Sequence, residues 1–177
     1  MIGVLVSGEG TNLQALLDAG LPVAAVASNR TQARGLERAA AAGVAAAAFP
    51  LDAYEDRAAR DRAMADWLEE QGVRIVVCAG YMHLLTSGFL TRFPERIVNV
   101  HPSLLPAFPG VKAVEEALAA GVDTTGVTVH LVDEGVDTGP VVRQVPVPVE
   151  PRATLLQRIH EVEHRLLPEV VRELCAR

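Results

Sequence analysis

The 177-residue sequence has few cysteines, few aromatics, one lysine and no long apolar run. Its two cysteines, Cys78 and Cys175, lie far apart without close-spaced partners. They can build neither a disulfide framework nor a zinc pattern, and both are predicted to be small, buried, apolar side chains. Such sparing use of cysteine fits a reducing compartment. The apolar start, Met1 to Val6, is too short for a secretory signal, has no basic residue ahead of it and runs straight into a glycine turn, so it is read as a strand of a cytoplasmic protein. A net charge of −6 leaves no electrostatic footprint for a nucleic-acid backbone or an anionic membrane. Neither is expected as a partner, and any anionic ligand has to be held locally.

What is present is a chain that is 50% apolar, enough to close one substantial core, so a single domain over residues 1–177 is expected. Short apolar runs alternate with stretches of helical period, the pattern of an α/β fold with a mostly parallel central sheet and helices on both faces. Strands are predicted at Ile2–Val6, Val23–Ala27, Ile75–Ala79, Gly126–Val132 and Val141–Val149, with a further strand starting at Ile97. Helices are predicted at Thr11–Asp18, Gln32–Ala42, Ala53–Gln71, Ala113–Ala120 and Ala153–Leu174, the last with Leu155, Ile159, Val162, Leu166 and Val170 on its apolar face. Between Ile97 and Gly110 three prolines, Pro102, Pro106 and Pro109, exclude regular structure and leave a shaped loop.

Three segments carry candidate chemistry. Ser7-Gly8-Glu9-Gly10-Thr11-Asn12 joins the first strand to the first helix, where inward-turned backbone N–H groups and the helix N-terminus favour an anion; an ordinary capped turn is the plainer alternative. Asn99-Val100-His101 ends a strand, and alternation puts the amide and the imidazole on one side; beyond the carboxyl end of a strand is where open α/β sheets place their sites, and a His that only caps the strand end is the alternative. Asp133-Glu134-Gly135-Val136-Asp137-Thr138-Gly139-Pro140 is an acidic turn without calcium-loop spacing; one of its carboxylates would suffice to orient His101 and raise its basicity, and a solvated turn is the alternative. Arg57, Arg60 and Arg62 are read as a solvated helix face, and His160, Glu163 and His164 as surface polar residues, not metal ligands.

These loops in this order, centred on Asn-x-His-Pro-Ser-Leu-Leu-Pro at residues 99–106 and joined by Ser-Gly-x-Gly-Thr-Asn-Leu-Gln at 7–14 and Ala-Gly-Tyr-Met at 79–82, resemble the folate-dependent formyltransferase family over nearly the whole chain. The resemblance implies a single-domain, Rossmann-like formyltransferase fold. It also implies transfer of the formyl group of 10-formyltetrahydrofolate, a cosubstrate, to the amine of glycinamide ribonucleotide, without a metal and by a monomer or homodimer. Position by position it implies that Gly10, Thr11 and Asn12 contact the phosphoribosyl acceptor, with Glu163 near its ribose. Arg57, Met82, His83, Leu84, Leu85 and Asn99 fall to the folate, with the backbone of Asp133, Glu134, Gly135 and Val136 around the pterin. Asn99, His101 and Asp137 become the catalytic group, His101 as the acid and Asp137 as the residue that raises its pKa. His83 stands where relatives often have Arg, which weakens the expected hold on the folate glutamate tail. Relatives that formylate a methionyl-tRNA or hydrolyse the folate carry an additional domain that this sequence does not show, which sets the expectation of the small-molecule transferase. Hydrolysis of the formyl folate, a different amino-sugar nucleotide acceptor and a folate-binding module without turnover are the competing readings.

Overall fold

The computed structural model describes residues 1–176. The chain divides into two compact units, the first spanning Met1–Val98 and the second beginning at Asn99. The first unit alternates strands and helices: β1 (Ile2–Val6), α1 (Thr11–Asp18), β2 (Val23–Ser28), α2 (Arg34–Ala41), β3 (Ala45–Ala48), α3 (Arg57–Glu70), β4 (Ile75–Cys78) and the single-turn α4 (Ser87–Leu90). Its strands run in the order β3-β2-β1-β4, with each neighbouring pair parallel. A parallel pair needs a crossover between its strands, and the helical periods between the apolar runs supply it. Ile2, Val4, Leu5 and Val6 of β1 are fully buried, as a strand between two parallel neighbours requires. Each such side chain contributes about 1.5–3 kcal/mol relative to exposure.

Two boundaries differ from the sequence reading for local reasons. α3 starts at Arg57 instead of Ala53, because residues 51–53 form a 3-10 turn and the Asp56 carboxylate caps the helix by accepting from Ala59 N at 2.7 Å. α2 starts at Arg34, after a turn over Thr31 and Gln32. β3 is a run of four alanines with no β-branched residue to signal a strand, and α4 is four residues long; neither carries a readable period.

The second unit contains β5 (from Asn99 onward in a strand that opens at Ile97 and ends at His101), α5 (Ala113–Ala120), β6 (Thr124–Leu131), β7 (Val141–Pro148) and α6 (Leu155–Cys175). β6 and β7 pair antiparallel, with a register shift at Val129/His130. α6 buries Leu155, Ile159, Leu166 and Val170 as its period predicts, but Glu163 is buried as well and Val162 is only half-buried. Cys78 is buried, and burial pushes its thiol pKa up to about 12; Cys175, the last residue of α6, is exposed, against expectation. No helix among the described residues is long and apolar enough to cross a membrane.

Candidate active site

In the first unit the glycine loop is fixed by backbone contact. Gly10 caps α1 with φ +71, a left-handed conformation that glycine adopts without a side-chain penalty. A Cβ there would also lie 2.7 Å from Gly35 Cα, while a Cβ on Gly35 would lie 2.7 Å from Val6 Cγ2. Gly35 N donates to Gly8 O at 3.0 Å, so the start of α2 is seated against the loop. α2 also brings positive charge to it: Arg38 Nε donates to Glu9 O at 2.7 Å, its Nη1 to Gln14 Oε1 at 3.1 Å, and Arg34 pairs with Glu9 at 3.0 Å. The first N–H groups of α1 have no partner within their own helix. This loop therefore gathers donors and cations despite the acidic net charge of −6.

The same unit holds a second polar cluster around His83. Ser7 Oγ donates to Asn29 Oδ1 at 2.6 Å and accepts from Met82 N at 2.9 Å, which ties residue 82 to the end of β1. The His83 ring lies between the Asn29 amide, 3.2 Å from Nε2, and the Arg60 guanidinium, 3.3 Å from Nδ1. A guanidinium can only donate, so it requires a lone pair that an imidazolium lacks. Burial, followed by the charges of Arg60, Arg57 and Arg30, accordingly holds the His83 pKa below its ordinary 6.5. Arg60 corrects the sequence reading: it is wholly buried, not on a solvated face, because Asp61 follows it and accepts from its Nε at 2.6 Å. Asp61 uses its other oxygen to accept from Thr86 N at 2.8 Å. Arg57 and Arg62 are exposed, as are Met82 and Leu84, whereas Leu85 is half-buried.

The second unit assembles the titratable group. One carboxylate, Asp137, receives Gly110 N at 2.7 Å and faces His101 Nδ1 at 3.4 Å, both on Oδ2. Its Oδ1 accepts from Asn99 Nδ2 at 3.4 Å and lies 3.5 Å from His130 Nε2. Burial alone would raise the Asp137 pKa, but the bonds from His130 and Gly110 N and the charges of both histidines outweigh it and hold the group below its ordinary 3.8. Its φ is +53, a conformation uncommon outside glycine that here aims the carboxylate at the two rings. Asp133 serves the turn itself, its Oδ1 accepting from Gly135 N at 3.0 Å and Thr138 Oγ1 at 2.7 Å. Gly139 completes the turn, since a Cβ there would lie 1.8 Å from Leu131 O. Glu134 and Val136 remain exposed.

The proline loop is bracketed from behind. Thr128 Oγ1 donates to Ser103 O at 2.7 Å and accepts from Leu105 N at 3.2 Å, and Gln144 Nε2 donates to Leu105 O at 2.7 Å and to Thr128 Oγ1 at 2.9 Å. Ser103 Oγ donates to Ala107 O at 2.5 Å, and the loop ends with His101 Nε2 donating to Phe108 O at 2.8 Å.

The structure thus brings Asn99, His101 and Asp137 together and adds His130, which falls in the predicted strand Gly126–Val132 and is given no role there. It is 2% exposed, donates from Nδ1 to Leu131 O at 2.8 Å and lies 3.2 Å from Asn99 Nδ2. Its place on the Thr128 face of β6 was the available signal. Glu163 is buried in α6. Among the described residues no group of His, Cys, Asp and Glu is arranged to hold a metal.

Residues 1–171 match a protein family described as formyl transferase. The chain is 40% identical to a phosphoribosylglycinamide formyltransferase of Bacillus subtilis, covering 97% of this chain and 92% of that protein. It is also 40% identical to a trifunctional purine biosynthetic protein of Drosophila pseudoobscura pseudoobscura, over 99% of this chain but only 14% of that longer protein. Among solved structures, glycinamide ribonucleotide transformylase 1 of Symbiobacterium toebii superimposes with a TM-score of 0.94 at 50% identity, covering 97% of this chain and 85% of that one.

Proposed function

The chain belongs to the formyl transferase family, and from that premise we propose that it transfers the formyl group of 10-formyltetrahydrofolate to the amine of glycinamide ribonucleotide, giving formylglycinamide ribonucleotide and tetrahydrofolate in purine biosynthesis. The observation that carries this reading is the convergence of Asn99 and His101, each at 3.4 Å, on the Asp137 carboxylate. Formyl transfer is acyl transfer: the amine attacks the formyl carbon, its carbonyl oxygen becomes an oxyanion, and the bond to folate N10 breaks as that nitrogen gains a proton and the amine loses one. The Asn99 amide and a protonated His101 are the donors suited to the oxyanion, and Asp137 stabilises the imidazolium. The charge is carried by N–H donors, so the chemistry calls for no metal.

Gly10, Thr11 and Asn12 hold the acceptor phosphate on the α1 N-terminus, supported by the arginines of α2, with Glu163 assigned to the ribose. Arg57, the Met82–Leu85 segment, Asn99 and the Asp133–Val136 backbone take the folate. The protein works in the cytoplasm as one formyltransferase domain on small-molecule substrates, as a monomer or homodimer, without nucleic acid or membrane. Incubating the purified protein with 10-formyltetrahydrofolate, with and without glycinamide ribonucleotide, tests the reading. Tetrahydrofolate formed only with the acceptor supports it. Release without acceptor would make the protein a hydrolase, and binding without turnover a folate-binding module.

A further inference from the structure

His130 takes no part in the formyl transfer set out above, yet it lies buried against Asn99 and Asp137, 2% exposed. The register of β6 against β7 shifts at this residue, so that Val129 faces Arg143 and His130 faces Val141, an irregularity of the kind that re-aims a side chain beside a site. A carbonyl only accepts, so the 2.8 Å contact with Leu131 O puts a hydrogen on His130 Nδ1. In a neutral ring that leaves Nε2 as a bare lone pair. Two groups face it, Asn99 Nδ2 at 3.2 Å and Asp137 Oδ1 at 3.5 Å, and they ask for opposite things. An amide NH2 donates to a bare nitrogen, whereas a carboxylate attracts a proton on it; the second is the bond through which a charged ring helps to hold the Asp137 pKa down.

Charge decides between them. Asp137 supplies one negative charge, and the proposed chemistry gives it to the imidazolium of His101, 3.4 Å from Oδ2. A second imidazolium on the same carboxylate would face the first across it, in a ring that water hardly reaches. His130 is therefore the neutral ring of the two, and its Nε2 accepts from Asn99, the nearer group. The consequence lies in the amide, which can present either an oxygen or two hydrogens. A bare Nε2 repels the oxygen and takes one hydrogen. The other hydrogen has only the long 3.4 Å contact with Asp137 Oδ1, so it can be shared with a further acceptor. When that hydrogen turns to the oxyanion, the bond to His130 still holds the amide the right way round. Reversed, Asn99 would offer an oxygen where the oxyanion needs a donor.

We propose that His130 is a positioning residue: its bare Nε2 holds one hydrogen of the Asn99 amide and so keeps the other directed at the formyl oxygen as the oxyanion develops. The proposal rests on the formyl-transfer reading, and its test separates the two. In the uniformly 15N-labelled protein, without substrates and near neutral pH, the state of the His130 ring is read from long-range proton–nitrogen correlations, with His130→Gln for assignment. A hydrogen on Nδ1 alone is expected, together with a hydrogen-bond coupling between Nε2 and Asn99 Nδ2; a proton on Nε2 would overturn the proposal. Asn99→Asp faces Nε2 with oxygens only, so there Nε2 is expected to gain a proton, and an unchanged ring would count against the bond. In steady-state assays with 10-formyltetrahydrofolate and glycinamide ribonucleotide, His130→Phe removes the acceptor and should lower kcat about tenfold, with both KM values within about twofold. That is short of the loss of about a hundredfold or more for a missing oxyanion donor. His130→Gln offers an amide oxygen to Asn99 and should recover most of the loss. Equal kcat in the two variants would show that the lost acceptor is not the cause and would overturn the role. Should His130→Phe not fold, the ring state in wild type and in Asn99→Asp still decides. Turnover absent from the wild type as well would reject the formyl-transfer reading, and this role with it, whatever the ring shows.

Discussion

Replacing Asp137 by Asn keeps the shape of the side chain and removes its charge, which disturbs every group bonded to it. The carboxylate faces donors on all sides: Gly110 N at 2.7 Å, Asn99 Nδ2 at 3.4 Å, and the rings of His101 and His130 at 3.4 and 3.5 Å. An Asn that keeps its oxygen on Gly110 N turns its NH2 toward the NH2 of Asn99, and the reverse orientation opposes Gly110 N–H with another donor. Loss of a charge-assisted hydrogen bond of this kind costs about 1.5–3 kcal/mol. The imidazolium of His101 loses its counter-charge at the same time. Loss of one charged oxyanion donor lowers kcat by about 100-fold or more, equivalent to roughly 2.7 kcal/mol or more in the transition state. Folate and acceptor KM should move far less, because the oxyanion exists only in the transition state. The assay is steady-state kinetics on wild type, Asp137→Asn, His101→Ala and the double variant. If Asp137 acts through the imidazole, the double variant is little worse than His101→Ala alone; fully additive losses would refute the coupling. Stability supplies an independent reading of the same group. The folded-state pKa of Asp137 is depressed, so its contribution is fully present above the ordinary carboxylate value of 3.8 and is lost as pH falls through the lower folded value. The stability gap between wild type and Asp137→Asn should close on acidification.

Arg60→Met should destabilise the protein by about 3–5 kcal/mol in chemical denaturation, since it strands the buried Asp61 carboxylate without its partner 2.6 Å away; a loss below about 1 kcal/mol would show that the pair is not buried as described. His83 is neutral near pH 7, so folate affinity in wild type should be flat from neutral pH upward and strengthen only below the ordinary histidine value of 6.5, as the ring gains charge; His83→Arg should be flat throughout, and identical pH profiles would remove His83 from the glutamate tail. Gly10→Ala should cost more than about 1–2 kcal/mol in thermal unfolding, because left-handed φ and the 2.7 Å approach to Gly35 Cα both oppose a Cβ, whereas Gly8→Ala, with nothing within 4 Å of its added carbon, should stay within about 0.5 kcal/mol. Equal losses at the two positions would contradict the loop geometry.

The sequence made the alternation of buried strands and helices readable because parallel strands are continuous apolar runs, and it placed Asn99 and His101 on one side of a strand by period alone. What it hid has physical causes. Four alanines carry no strand signal, so β3 depends on its pairing with β2. Arg60 reads as solvent-facing because nothing in an arginine-rich helix announces that the next residue, Asp61, neutralises it in the interior. The acidic turn gave two aspartates of equal appearance, and only the fold shows that Asp133 closes the turn while Asp137 reaches the histidines. His130 looked like one polar residue among several on β6, and its meaning comes from pairing across 31 positions of sequence with Asn99.

The contact between Gly10 and Gly35 also bears on how this protein can change over generations. Each glycine leaves the space that a methyl group on the other's neighbourhood would occupy, with Gly35 also pressed onto Val6. A drift at either position is closed off unless strand β1, the loop and the start of α2 shift together. A segment well downstream of the loop in sequence thereby shares its evolutionary constraint, and a library meant to alter acceptor choice would have to vary Val6, Gly10 and Gly35 as one set.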